Sequence, residues 1–132
     1  MWCAFPEHED PLTPGPPHTG YVLVTVADAW GVGAMVAYTT TRPWIGGIPR
    51  GVRIFTLEQA RATGQSKAFV LDLRRIAYIP VDSDWFPHLA TPGHGIIGHA
   101  SETLRGELEM VVKEIFGRHP DTVERLGPRW RR

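Results

Sequence analysis

The chain has 132 residues, of which 42% are hydrophobic and 21% are charged, and these values are typical of one globular domain with a buried core. Its 14 lysines and arginines balance its 14 aspartates and glutamates, which excludes a strong overall field for nucleic acid or membrane, so any polyanion must meet a local basic patch. The single cysteine, Cys3, excludes an internal disulfide, and without a secretory pattern or a run of roughly 20 apolar residues we expect a cytoplasmic protein with no membrane partner.

The first half of the chain predicts short strands joined by loops. Residues 2–5 form an apolar strand, and the proline-rich segment 7–19 is a long loop of the kind that often carries function. A glycine- and proline-rich loop spans 42–51, and a short helix spans 57–64. Further strands are predicted over 20–30, 34–41 and 52–57.

The second half predicts a strand over 67–80, a short strand over 94–101 and then the clearest helix of the chain. Ser101 is a credible N-cap and Gly117 a plausible stop for this helix. Its apolar residues recur at three- and four-residue steps: Leu104, Leu108, Val111, Val112 and Ile115. The segment after the helix is polar, and we expect it to fray unless it meets a partner. The predicted fold is mainly β (α+β), a largely antiparallel sheet of six or seven strands closed by a C-terminal helix.

Four stretches of the sequence carry a resemblance to a known family. They are WCAFP, PGPPHTGYVLVT, VAYTTT followed by RPWIGGIP, and KAFVLDLRRIAYIP followed by HGIIGHASETLRGELEMVVKEIFG. In order and spacing they resemble the PemK/MazF family of toxin–antitoxin endoribonucleases, across residues 2 to 117. The resemblance implies an SH3-like barrel over residues 1–117, followed by a basic tail over 118–132. It also implies a homodimer, metal-free cleavage of single-stranded RNA, and a cognate antitoxin.

The resemblance also assigns site residues. Thr39 and Thr40 match a threonine pair that contacts the phosphate, and Asp72 matches a contributing aspartate, although Leu73 replaces the glutamine that usually follows it. In this family the RNA's own 2′-hydroxyl is the nucleophile. Such a site needs a base, an acid and donors that stabilise the developing charge.

The family's arginine is missing from this chain. Thr19 stands in its place, with His18 before it and Gly20 where a proline is usual. His18 is a candidate acid–base group, because imidazole exchanges protons near neutral pH. Arg42 or Arg75, on neighbouring segments, would supply the positive charge.

An RNA-binding surface is predicted around the glycine-rich loop. Arg42, Arg50 and Arg53 could follow a phosphate backbone there, and Trp44 could stack a base. Arg75 is the further candidate for an RNA contact. The competing interpretation is an exposed loop with no partner.

The same residues also allow purely structural roles. Threonine favours strands, so Thr39 and Thr40 are also good strand residues. Asp72 needs a partner in an apolar strand, and Arg74 or Arg75 would provide one. Strand alternation places Asp72 and Arg74 on one face and Arg75 on the other.

No metal site or cofactor is expected. The spacings of the candidate ligands match no common zinc pattern. These candidates are Cys3, His8, His88, His94 and His99.

Two other functions stay open. One is a non-catalytic module of the same fold that binds nucleic acid or a protein, and the missing arginine favours it. The other is a gyrase poison, since CcdB toxins share the fold. Those toxins end in Trp-Gly-Ile, whereas this chain ends in Trp130, Arg131 and Arg132. The gyrase-poison hypothesis therefore ranks below the ribonuclease and the binding module. The terminal segment 129–132 would either hold RNA or only aid solubility.

Overall fold

The computed structural model describes residues 1–131, and Arg132, the last of the terminal basic residues, lies outside them. The strands are β1 (Trp2–Cys3), β2 (His18–Asp28), β3 (Gly31–Thr40), β4 (Val52–Phe55), β5 (Phe69–Pro80) and β6 (Glu124–Leu126). The helices are α1 (Leu57–Ala62) and α2 (Glu102–Arg118), with short 3₁₀ helices at Pro120–Thr122 and Pro128–Arg131. Neither α-helix of this described chain is long and apolar enough to cross a membrane.

All six strands belong to one sheet. Its strand order is β1-β2-β3-β5-β4 with antiparallel pairs, and β6 adds to β5 in parallel. Within residues 1–131 the end strands β1 and β4 do not pair, so the sheet is open. The prediction of a mainly β fold with a C-terminal helix is confirmed, whereas the closed SH3-like barrel is not.

The centre of β5 bulges away from β3. Asp72 lies opposite Tyr38 and Ile76 lies opposite Ala37, so one step along β3 corresponds to four steps along β5. A bulge of this kind re-aims the side chains of the longer strand. Residues 73–75 therefore need not alternate between faces as they would in a regular strand.

The sheet has two apolar faces, and each is covered by a different part of the chain. The N-terminal face packs against residues near the chain start and against the loop after β5. Its buried cluster contains Cys3, Phe5, Ala34, Val36, Ala77, Ile79, Trp85, Phe86 and Leu126. The helix face packs against α2. Its buried cluster contains Ala37, Phe55, Ala60, Phe69, Leu71, Leu73, Leu108, Ile115 and Val123.

The segment before α2 differs from its prediction. Residues 94–101 form turns and irregular backbone rather than a strand, because His94 and Gly95 both adopt positive φ angles of 56° and 77°. The prediction of a strand here was wrong. The N-cap prediction was right, since the Ser101 hydroxyl accepts a hydrogen bond from the Leu104 N–H at 3.1 Å. Gly117 does not stop the helix, which continues to Arg118.

The segment after α2 packs onto the sheet, so the expectation that it frays was wrong. Val123 and Leu126 are buried, and β6 pairs with Arg75–Ala77 of β5. Arg129 is only 7% exposed and bonds to Asp28. A few apolar residues and an ion pair between the buried Arg129 and the exposed Asp28 thus hold a segment whose average composition is polar.

Candidate functional site

One hydrogen bond and one ring contact orient the His18 imidazole at the start of β2. Its Nε2 atom lies within hydrogen-bond distance of the Thr39 carbonyl oxygen. A carbonyl only accepts, so Nε2 is the donor of this bond, and Nδ1 is the ring nitrogen that faces away from it. The ring also stacks on Tyr38, with the centroids 5.2 Å apart and the planes 4° from parallel. These contacts hold a half-buried histidine in one orientation.

Arg75 contacts the same tyrosine. The Arg75 guanidinium carbon lies 4.1 Å from the centroid of the Tyr38 ring and 5.7 Å from that of Phe5. Its Nε is 3.5 Å from a Glu124 carboxylate oxygen. Arg75 therefore lies on the N-terminal face. The alternation that placed it on the opposite face from Asp72 was wrong, because the bulge in β5 separates the two residues.

Asp72 is bound by Arg74 rather than left free. Its carboxylate accepts from the Arg74 backbone N–H, Nε and Nη2, each at 3.0 Å. The hydrogen bond to Asp72 is the main cause that raises the pKa of the Arg74 guanidinium, so this arginine is always charged. The guanidinium carbon lies 5.5 Å from the ring centroid of Trp44, whose indole N–H donates to the Gly47 carbonyl at 2.8 Å.

The two threonines next to His18 and Tyr38 lie on the helix face. The Thr39 hydroxyl donates to the Thr19 carbonyl at 2.6 Å, and Thr39 is only 4% exposed. The Thr19 hydroxyl accepts from Gln65 Nε2 at 3.0 Å. The structure therefore brings Thr19 and Thr39 together with each other, but separates their hydroxyls from His18 and Arg75.

The remaining predicted residues are spread around the glycine-rich loop. The Thr40 hydroxyl accepts from the Arg42 backbone N–H at 3.1 Å, and the Arg42 side chain is exposed. Arg50 is paired with Glu114 of α2. Arg53 donates to Glu107 of the same helix at 2.7 Å and so lies near the helix face. Arg42, Arg50 and Arg53 therefore do not form one basic patch.

Sequence reasoning missed three residues that organise these groups: Tyr38, Gln65 and Glu124. Tyr38 precedes the threonine run at the end of β3, and its step-two spacing from Val36 was a usable signal for the N-terminal face. Gln65 and Glu124 reach the site from distant parts of the chain and had no local signal.

The arrangement that results is a histidine and a guanidinium against one tyrosine ring, beside a second, carboxylate-held guanidinium. Such a set can accept a proton and stabilise a phosphate-centred negative charge. Across residues 1–131, no group of three or more His, Cys, Asp and Glu side chains is placed to hold a metal ion.

Comparison of the chain with protein-family models, with curated proteins and with solved structures found no match in any of the three. The local geometry of the residues therefore carries the functional argument.

Proposed function

We propose that this chain is a toxin of the PemK/MazF type, an endoribonuclease that cleaves single-stranded RNA without a metal. One observation carries the proposal: the fixed imidazole of His18 and the guanidinium of Arg75 contact the same Tyr38 ring. Arg75 thereby supplies the positive charge that the missing family arginine would have given.

The proposed reaction uses the RNA's own 2′-hydroxyl. Nδ1 of His18 takes the hydroxyl proton, the 2′-oxygen attacks phosphorus, and the bond from phosphorus to the 5′-oxygen breaks. The leaving 5′-oxygen takes a proton from solvent water, which gives a 2′,3′-cyclic phosphate and a 5′-hydroxyl, and the resulting hydroxide is neutralised by the proton that Nδ1 of His18 releases. Arg75 stabilises the negative charge of the phosphorane, since a preorganised donor acts most strongly where charge develops.

Neighbouring groups would position the RNA. Arg74, oriented by Asp72, is a second cation for the phosphate backbone, and Trp44 offers a ring for base stacking. Arg42 would extend this contact along the loop. The hydroxyls of three threonines would stabilise the backbone around His18 and would not bind phosphate; they are those of Thr19, Thr39 and Thr40.

The same proposal includes the other properties that the resemblance implies. They are an SH3-like barrel, a homodimer, a cytoplasmic site of action and a cognate antitoxin.

A non-catalytic module that binds nucleic acid or a protein is the second candidate. A specific observation favours it: the hydroxyls of Thr19 and Thr39 are committed to internal hydrogen bonds, and Arg50 and Arg53 are committed to glutamates. Of these groups, the resemblance assigns Thr39 to phosphate and puts Thr19 in the place of the family arginine, and the basic loop pattern predicts that Arg50 and Arg53 follow the phosphate backbone.

Substitution of His18 tests the enzymatic proposal. His18→Ala should lower the cleavage rate of an unstructured RNA about 10²- to 10⁴-fold, the usual contribution of a general base. Arg75→Lys keeps the charge but loses the planar guanidinium, and it should retain partial activity. His119→Ala is the matched control, since its side chain is exposed and makes no hydrogen bond, ion pair or ring contact within the described residues.

Thermal melting of each variant distinguishes a loss of catalytic activity from a loss of the folded structure. A folded His18→Ala protein that cuts at the wild-type rate would remove His18 from the mechanism. If the folded wild type never cuts RNA but binds it with strong salt dependence, the non-catalytic module replaces the enzyme.

A further inference from the structure

The outer edge of β2 is open over most of its length. β1 pairs with β2 only at His18 and Thr19, and Met1 adds hydrogen bonds to the N–H and carbonyl of Gly20 at 2.9 and 3.0 Å. From Tyr21 to Asp28, no strand of the described chain pairs with this edge. An edge of this kind presents N–H and C=O groups ready for another strand.

The direction of these groups follows from Gly20. Its N–H and carbonyl point outward to Met1, away from β3. Backbone groups alternate sides along an antiparallel strand, so Val22 directs its N–H and carbonyl outward as well. The edge therefore offers a donor and an acceptor immediately after the last bond that Met1 makes.

An apolar groove of about 860 Å³ runs beside this edge, between β2 and α2. Tyr21 and Leu23 line it from the helix face, and Leu104 and Val112 line it from α2. Val22 packs against the N-terminal face, yet it also lines the groove. The groove therefore reaches past the side chains to the backbone edge of β2.

Charged residues mark the α2 wall of the groove. Arg105, Glu109 and Lys113 follow one another at four-residue spacing and all line it. Within residues 1–131, neither Arg105 nor Lys113 has a carboxylate partner within ion-pair distance. The groove thus has an excess of one positive charge along its helical wall.

A second copy of this chain fits these features poorly. The sequence of β2 is HTGYVLVTVAD, and Asp28 is its one acidic residue. Asp28 is already bound by Arg129 at 3.1 Å. The β2 strand of a second copy would bring no available carboxylate to Arg105 and Lys113.

We infer that the groove binds an extended peptide segment of a different protein, which adds to the edge of β2 as a further strand. Alternate apolar side chains of the peptide enter the space between β2 and α2, and an acidic residue meets Arg105 or Lys113. Main-chain bonds to β2 give affinity in this binding mode, and the groove selects the side chains. The inference is independent of the ribonuclease proposal, because none of its side chains touches His18 or Arg75.

The test uses a displayed library of random ten-residue peptides, selected against the full chain. We expect the enriched peptides to share apolar residues at every second position and at least one acidic residue. Bound to the wild type, a resynthesised peptide should slow hydrogen exchange of those backbone amides in residues 21–28 that point away from β3, with Val22, which precedes the register shift in β2, as the first of them. Arg105→Glu combined with Lys113→Glu should weaken its binding about tenfold, because like charges then face each other. Lys67→Glu, an exposed charge that does not line the groove, should leave the Kd unchanged.

Several results would overturn the inference. No enrichment over an unrelated control protein would do so, as would binding that leaves exchange in residues 21–28 unaltered. Equal binding by the wild type and the folded double variant would remove the role of α2. A dimer with residues 21–28 already protected, and no peptide binding, would make a second copy the occupant.

Discussion

Cys3 shows how burial in the sheet fixes the chemistry of one residue. Its side chain is fully buried in the N-terminal face, and desolvation is the main cause that raises the pKa of its thiol to about 12. The thiol therefore stays protonated at neutral and mildly alkaline pH. Because the thiolate is the reactive species, Cys3 is chemically inert in the folded chain.

Alkylation tests this assignment. At pH 8 iodoacetamide should label Cys3 in guanidinium chloride but not in the native protein, with mass spectrometry as the readout. In the unfolded chain the thiol has its ordinary pKa of 9.0, against about 12 in the folded chain. The stability that comes from burying the protonated thiol is therefore fully present below pH 9.0 and is lost as the pH rises towards 12. Equal labelling of native and unfolded protein would contradict the burial.

The resemblance named His18 and Asp72 as site residues, and their role stays a prediction. In the structure His18 stacks on Tyr38, and Asp72 lies opposite Tyr38 in the β3–β5 register. Arg75 was assigned to the wrong face because alternation assumes a regular strand. The three extra residues of β5 depend on pairing with β3 and β6, and such long-range pairing leaves no mark on the local pattern.

At the scale of elements, β6 and the 3₁₀ helix after it hold the C-terminal segment to the sheet. Arg129 donates to Asp28 at 3.1 Å and to the Trp30 carbonyl at 2.9 Å, so it joins the chain end to the β2–β3 hairpin. The Gly127 N–H adds a backbone bond to the Pro11 carbonyl at 2.7 Å. The segment is therefore an integral part of the fold.

Arg129→Ala should lower the free energy of unfolding by about 1–3 kcal/mol, because it removes two hydrogen bonds from a charged donor and the packing of a buried side chain. Urea denaturation measures this change. Lys67→Ala, at an exposed site, should change it by no more than about 0.5 kcal/mol. An unaltered midpoint for Arg129→Ala would mean that the segment does not pack as described.

The long elements were predictable from sequence, and the short irregular ones were not. β2, β3 and β5 contain β-branched runs, and α2 combines a cap with apolar residues at helical spacing. β6 has three residues and depends on a parallel partner 49 positions earlier, Arg75 for Glu124. Residues 94–101 read as a strand by composition, but their positive φ angles are set by local turns that composition does not encode.

At the scale of the whole molecule, the two faces of the sheet carry separate features. The N-terminal face presents His18 and Arg75 on Tyr38, and Asp72 lies opposite Tyr38 in the β3–β5 register. The helix face opens into the groove along β2. Substitutions in one feature should therefore leave the other unchanged, which lets RNA cleavage and peptide binding be measured independently.

The ribonuclease proposal is tested most directly by incubating the wild-type protein with a long unstructured RNA in EDTA and mapping the fragment ends. We expect discrete cuts that leave 2′,3′-cyclic phosphates and 5′-hydroxyls. Intact RNA from a folded sample, or fragments that end in 3′-hydroxyls, would contradict metal-free attack by the 2′-hydroxyl.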